Sequence, residues 1–191
     1  MRNFVLAAFI AVGLVVVVIV IRADQPGRQS SKPIVVETAI PTPMGYVDLD
    51  QAYALSDAVL LVRIASGAPV AGPASALVQT DYRCKVLDVL KGDETLQGTH
   101  VIVRRLGGVR DEGNVMRRVV VDAFPDFASG EEYVLLLKRS QVDAVFTVSA
   151  EGSFDVRDGV IHSTGKTHQA KAHEGQQASE LIESLRRLKK R

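Results

Sequence analysis

Cysteine is all but missing from this chain. Cys84 stands alone among 191 residues, which excludes an intramolecular disulfide and any zinc site built from several cysteines, so the fold must be held by its core. Net charge is missing too. The 23 Lys and Arg against 22 Asp and Glu leave a formal +1, and with it goes any whole-chain case for nucleic acid or for an acidic substrate. Aromatic residues are few around the arginines, so the stacking platform that single-stranded nucleic acid needs is not evident, and no nucleic-acid partner is expected. There is no Gly-x-Ser-x-Gly elbow, no phosphate-binding loop and no His-Glu-x-x-His, the spacings that would announce an acyl transferase, a nucleotide enzyme or a zinc protease. The expectation is a protein that is not an enzyme and carries no cofactor.

What is present begins with a hydrophobic run. Phe4 to Ile21 is 18 residues without a charge, set between Arg2 and Arg22. As a helix it would span roughly 27 Å, close to a hydrocarbon core of about 30 Å, and residues 1–22 therefore read as a transmembrane anchor or signal segment. A signal peptide wants small residues one and three positions before the cut. The nearest candidate, Ala23, has Ile21 at the outer position, which favours an uncleaved single-pass anchor. Arg2 on one side and Arg22, Arg28 and Lys32 on the other do not settle its direction; the prior expectation is that the rest of the chain lies outside the cytoplasmic membrane, periplasmic or at the cell surface. Residues 23–45 carry Pro26, Pro33, Pro41 and Pro43 and read as a flexible tether, with Ile34-Val35-Val36 as a short extended edge segment in the rival reading.

From residue 46 to 165 the pattern is that of a β domain. Asp48 to Ser56 has helical spacing and an Asp cap, and leads into a strand over Ala58 to Ile64. Ala65 to Ala76 reads as a small-residue loop. Val78 to Leu90 alternates, with Tyr82, Cys84, Val86 and Val89 on one face. Val101 to Leu106 is a strand closed by Gly107-Gly108. Around the connection from Asp122 to Glu132 stand the short apolar runs Val119-Val120-Val121 and Val134-Leu135-Leu136-Leu137, both too short for helices and bounded by Pro, Gly and Asp. Further strands are expected over Ala144 to Ser149 and in a hairpin turned by Asp158-Gly159. Seven or eight short strands in about 110 residues favour a barrel or sandwich over a parallel α/β arrangement. Residues 166–191 read as a polar linker followed by an amphipathic helix, with Leu181, Ile182, Leu185 and Leu188 in one stripe and a basic tip of Arg186, Arg187, Lys189, Lys190 and Arg191.

The order of these pieces resembles a known domain. Ser56-Asp57-Ala58-Val59, the run from Tyr82 to Gly92, and Gly130-Glu131-Glu132-Tyr133-Val134-Leu135 are similar to the netrin-like domain that includes the tissue inhibitors of metalloproteinases, and to bacterial exported proteins of the same pattern. The resemblance covers about Asp48 to Phe154. It implies a mainly β fold, an OB-like antiparallel β-barrel, here followed by the amphipathic helix and preceded by the N-terminal anchor. The inhibitors present an amino-terminal cysteine to the target's zinc. This chain has a proline-rich tether in that region, so the inhibitory mechanism does not carry over.

Candidate sites are few. His162, His168, His173 and Glu174 share a polar tract whose spacing matches no strong ligand motif, so no metal is expected. Asp122, Asp126, Glu131 and Glu132 cluster in the central connection and would suit acid–base work, but read more simply as a solvated turn pinned by Phe124, Pro125 and Phe127. Arg104, Arg105, Arg110, Arg117 and Arg118 form a cationic group, and Arg104, Arg105, Arg117 and Arg118 from it, with Arg186, Arg187, Lys189, Lys190 and Arg191 of the basic tip, are the candidate partner-binding set. The functional expectation is a membrane-anchored, non-enzymatic binding module for a protein partner. Its alternatives are an inhibitor or regulator of an exported protease, and a hydrolase using the carboxylates between Asp122 and Glu132.

Overall fold

The computed structural model describes residues 34–40, 48–70, 77–112, 115–121, 124, 126–141, 144–163 and 171–189. The expected anchor at Phe4 to Ile21 lies outside the described residues. Among the described residues no helix is long and apolar enough to cross a membrane.

Among the described residues, the main strands and α-helices follow one another as β1 (Ile34–Ile40), α1 (Leu49–Leu55), β2 (Ala58–Pro69), β3 (Gln79–Lys91), β4 (His100–Leu106), β5 (Gly108–Asp111), β6 (Val115–Val121), β7 (Glu132–Arg139), β8 (Phe146–Arg157), β9 (Val160–Ser163) and α2 (Ala178–Leu188). The main sheet runs β4-β3-β2-β7-β8-β9, and a further pairing joins β4 to β8. That pairing closes β2, β3, β4, β8 and β7 into a five-strand barrel. All its neighbours are antiparallel except the closing pair, which is parallel and short, with Val103 opposite Phe146 and Arg104 opposite Thr147. Register shifts in β2, and in β8 opposite Leu135 to Leu137, bend the strands enough to close so small a circuit.

The barrel is filled by every second residue: Ala58, Leu60, Val62 and Ile64 from β2, Tyr82, Cys84 and Val86 from β3, Val101 and Val103 from β4, and Tyr133, Leu135 and Leu137 from β7. Alternate positions are covered too along β7 and at the neighbouring ends of β2 and β3, while Arg63, Arg83 and Lys85 are exposed. Val59, Leu90, Val134 and Leu136 pack with Ala52 and Tyr53 of α1, Phe154 and Ile161 of the β8–β9 hairpin, and Leu181 and Leu185 of α2. This is why the β7 stretch reads as an unbroken apolar run: both of its faces are covered. The amphipathic stripe expected near the C-terminus is the second cover, and charge holds it in place, since Arg186 reaches Asp88 of β3 at 2.7 Å and Lys189 bonds Glu94. At α1, the Asp48 side chain accepts from the Gln51 N–H at 2.7 Å, and Lys91 Nζ donates to the Tyr53 and Ala54 carbonyls at 2.6 and 3.1 Å, tying the helix's last turn to β3.

Two expectations are corrected. Ile34–Ile40, inside the stretch read as a tether, is a strand paired in parallel with all of β6. Its seven residues are rich in β-branched types, Pro33 and Pro41 stand just outside it, and it lies at the sheet edge where flanking prolines cost nothing. Residues 65–69, read as loop, continue β2 as a two-stranded arm with β3 beyond the barrel. Gly67 permits this, because a Cβ there would sit 2.8 Å from the Tyr82 ring that crosses it. The strands at Val119 and Val134 expected from the sequence are both present and fall in different sheets, β6 in a three-strand sheet of order β1-β6-β5 and β7 in the barrel. The hairpin turn at Asp158-Gly159 is as expected, with φ of 51° and 76°.

Gly107 and Gly108 make the departure from barrel to second sheet, with φ of 101° and 122°. A Cβ on Gly108 would fall 2.2 Å from Thr80 Oγ1, whereas one on Gly130, at φ 89°, would meet nothing within 4 Å. Gly130→Ala therefore bears backbone strain alone, about 1 kcal/mol, and Gly108→Ala bears strain plus a clash and should lose clearly more. Urea midpoints of the two variants test this ordering; equal losses would contradict the packing described at the barrel exit.

Candidate functional site

At one end of the barrel the connection from β6 to β7 folds inward as a plug. Phe124 and Phe127 are buried, and the Phe127 ring lies 5.0 Å from Tyr82, 5.8 Å from Phe124 and 4.7 Å from Tyr133. The Ala128 N–H donates to the Tyr133 hydroxyl at 3.1 Å. Under the plug sits Arg105. It follows Val101 and Val103 in the inward phase of β4, and its side chain is 2% exposed. Its guanidinium lies 4.3 Å over the Phe124 ring, donates to Asp126 Oδ1 at 2.6 Å and to the Phe124 carbonyl, and leaves Nε without a partner. Asp126 itself is 60% exposed. The buried cation thus depends on a carboxylate that reaches it from the surface. Tyr82 donates a long 3.5 Å bond to the same Oδ1, and its hydroxyl is held above its ordinary pKa first by burial and then by the Asp126 charge.

Beside the plug, between the β2–β3 arm and β5, runs a groove of about 280 Å³. Ile64, Gly67, Ala68, Pro69, Gly108, Val109 and Phe127 supply its apolar walls, and Thr80, Tyr82, Asp126 and Ser129 its polar groups. A second hollow, about 410 Å³ on the outer side of α2, is lined only by polar and charged side chains, Gln176, Ser179, Glu180, Glu183, Ser184 and Arg187. The groove is the better-built concavity, combining apolar walls with a few convergent polar atoms.

The expected cationic set does not form one surface. Arg105 is corrected outright: its place in the inward phase of β4 buries it, and it is a core residue. Arg104 makes a two-pronged contact with Asp81 at 2.7 and 2.9 Å. Arg117 shares Glu112 with Arg110, and these two guanidiniums hold the Glu112 carboxyl below its usual range. Arg118 is exposed on β6, in register with Glu37 of β1. Arg186 spans Asp88 and Glu183, Arg187 donates to Ser184 Oγ at 3.1 Å, and Lys189 bonds Glu94. Lys190 and Arg191 lie outside the described residues.

Nor do the carboxylates of the central connection converge. Asp126 serves Arg105, Glu132 bonds Arg63 at 2.5 Å, Glu131 is exposed, and Asp122 lies outside the described residues. His162 Nδ1 lies 3.1 Å from Glu174 Oε1, while His173 turns to Gln176 at 2.9 Å; His168 lies outside the described residues. No group of three or more potential metal-binding side chains occurs among the described residues. Cys84 is buried, and burial pushes its thiol up to about 12, which keeps it protonated and unreactive.

Two features escaped the sequence. Glu151 is buried with both carboxylate oxygens unbonded, and Asp155, buried beside the exposed Arg157 that it binds, leaves Oδ1 unbonded. The bulge in β8 shifts the inward phase between Val148 and Ser153, so alternation could not show which way these residues point. The groove was equally hidden, since its walls come from four separated segments; the one local signal was Gly67, a glycine opposite an aromatic residue in the arm.

Compared with known proteins, the chain matches no protein-family model and no curated protein.

The asymmetry between Arg105 and Asp126 gives a direct test. Asp126→Asn leaves a charged guanidinium buried without a carboxylate and should cost about 2 kcal/mol, the scale of a hydrogen bond to a charged group. Arg105→Met removes the buried charge and leaves behind only an exposed, hydratable Asp126, so it should cost less. Chemical denaturation of both variants decides it, and a larger loss for Arg105→Met would show that the pair is not organised in this way.

Proposed function

We propose that the chain is a non-enzymatic binding module: a membrane-anchored, extracytoplasmic protein whose OB-like barrel engages a protein partner. Numbered along the barrel, the strands are β2, β3, β4, β7 and β8, and they pair in the order first, second, third, fifth, fourth and back to first. That order, with a parallel contact between third and fifth, is the support for the OB-like reading and for the netrin-like resemblance. The observation that carries the binding reading is the arm. β2 and β3 run on past the barrel to Pro69 and Gln79, and the arm borders an open groove with exposed residues from Ala65 to Pro69. OB folds bind through the face of the second and third barrel strands and the loops beside them, and fold alone says nothing of the partner. The hydrolase alternative is disfavoured by the separate engagements of Asp126 and Glu132, each spent on its own arginine.

Chemical crosslinking in the native cell, followed by purification of the full-length protein, tests the proposal. One dominant protein partner is the expected result, and a protease in that position would turn the reading into regulation of proteolysis. Recovery of nothing but bulk membrane components would contradict it.

A further inference from the structure

The polar atoms of the groove share a property that defines what it can hold. Thr80 Oγ1 donates to the Gly107 carbonyl at 2.9 Å, Ser129 Oγ donates to the Ala65 carbonyl at 3.0 Å, and the Tyr82 hydroxyl donates to Asp126. The Thr80 and Ser129 protons are therefore spent inside the protein, leaving lone pairs to face the groove, and the Tyr82 hydroxyl is directed at Asp126 over 3.5 Å. Asp126, as a carboxylate, is an acceptor throughout, and both bonds it receives end on Oδ1 while the group is 60% exposed. The nearest cation, Arg105, is 2% exposed beneath Phe124 and Asp126. Thr80, Ser129 and Asp126 thus face the groove as acceptors, and the Tyr82 and Phe127 side chains form part of its lining. Acceptors beside a carboxylate in an apolar-walled groove are the chemistry that recognises an ammonium or guanidinium group.

We infer that this groove docks an extended segment of the protein partner by a lysine or arginine side chain, with the charged end at Asp126 and the aliphatic stem along Phe127 and Val109. The assignment rests on the binding-module reading and names its site. A volume of about 280 Å³ holds one such side chain and not a large cofactor. Val109, 41% exposed at the rim, and Leu77, 55% exposed two residues before β3, are two of the three exposed large hydrophobic residues among those described, and Val109 offers a purchase for an apolar neighbour of the basic residue.

The test uses the full-length chain in detergent and a dye-labelled peptide with one lysine between two leucines, compared by fluorescence anisotropy with the same peptide carrying glutamine instead. The lysine peptide should bind at least about tenfold more tightly, and Asp126→Asn should abolish that preference. Because Asp126 also serves Arg105, a second pair of variants keeps folding out of the question. Val109 is exposed, so Val109→Lys should weaken the lysine peptide several-fold while Val109→Glu should not. Equal affinity for the two peptides, no binding of either at about 1 mM, or identical behaviour of the two Val109 variants would overturn the assignment. If the cellular partner still crosslinks to the protein while those results hold, the groove is excluded and the module reading stands.

Discussion

Burial of β7 on both faces is the constraint from which the rest of the architecture follows. Tyr133, Leu135 and Leu137 point into the barrel, and Val134 and Leu136 point out beneath the helices. A strand with two apolar faces needs two covers. The inner one requires β2, β3, β4 and β8 to curl round until β4 meets β8, and the outer one requires α1, α2 and the β8–β9 hairpin to lie together on the barrel wall. Each of Val134, Leu135, Leu136 and Leu137 is at most 2% exposed, and full burial of such a side chain is worth roughly 1.5–3 kcal/mol. With no disulfide available, these contacts supply the cohesion that a cross-link would otherwise give.

The same economy appears in the charges. The chain is nearly neutral overall, and many of its described arginines meet carboxylates: Arg63 with Glu132, Arg104 with Asp81, Arg105 with Asp126, Arg110 and Arg117 with a shared Glu112, Arg186 with Asp88. Exposed pairs of this kind contribute little stability each, and their effect is chiefly to fix register and hold elements together. Arg186 and Lys189 dock the last helix, and Arg104 marks the strand position where the barrel closes. Arg105 differs because it is buried, and its single exposed carboxylate partner joins the interior of the barrel to the wall of the groove. Binding at Asp126 would therefore act on a residue that the plug also depends on.

Much of the fold was legible in the sequence for a physical reason: strands and helices with one apolar face declare their period. Tyr82, Cys84 and Val86 alternate as a barrel strand must, Asp158-Gly159 supplies the two positive φ angles of a tight hairpin, and Leu181 with Leu185 marks the covered face of the terminal helix. What was illegible depends on contacts between distant segments. The strand at Ile34–Ile40 exists by pairing with β6, about 80 positions further along. Arg105 looked like a member of an exposed basic cluster because Arg104 precedes it and Arg110 follows; only its parity with Val101 and Val103 on a closed barrel makes it a core residue. The groove could not be read at all, since Gly67, Thr80, Gly108 and Asp126 meet only after the arm, the barrel exit and the plug have formed.

Native-state hydrogen exchange on the full-length protein examines the two-faced burial most directly. If β7 is enclosed by the barrel on one side and by the helices on the other, the amides of Val134 to Leu137 should exchange only through global unfolding, and their protection should fall in step with total stability as denaturant is added. The four-residue β5, at the edge of the smaller sheet, should exchange by local opening at far lower free energy. Protection in β7 no greater than that in β5 would mean that the strand is not the shared wall of two cores, and the architecture described here would have to be abandoned.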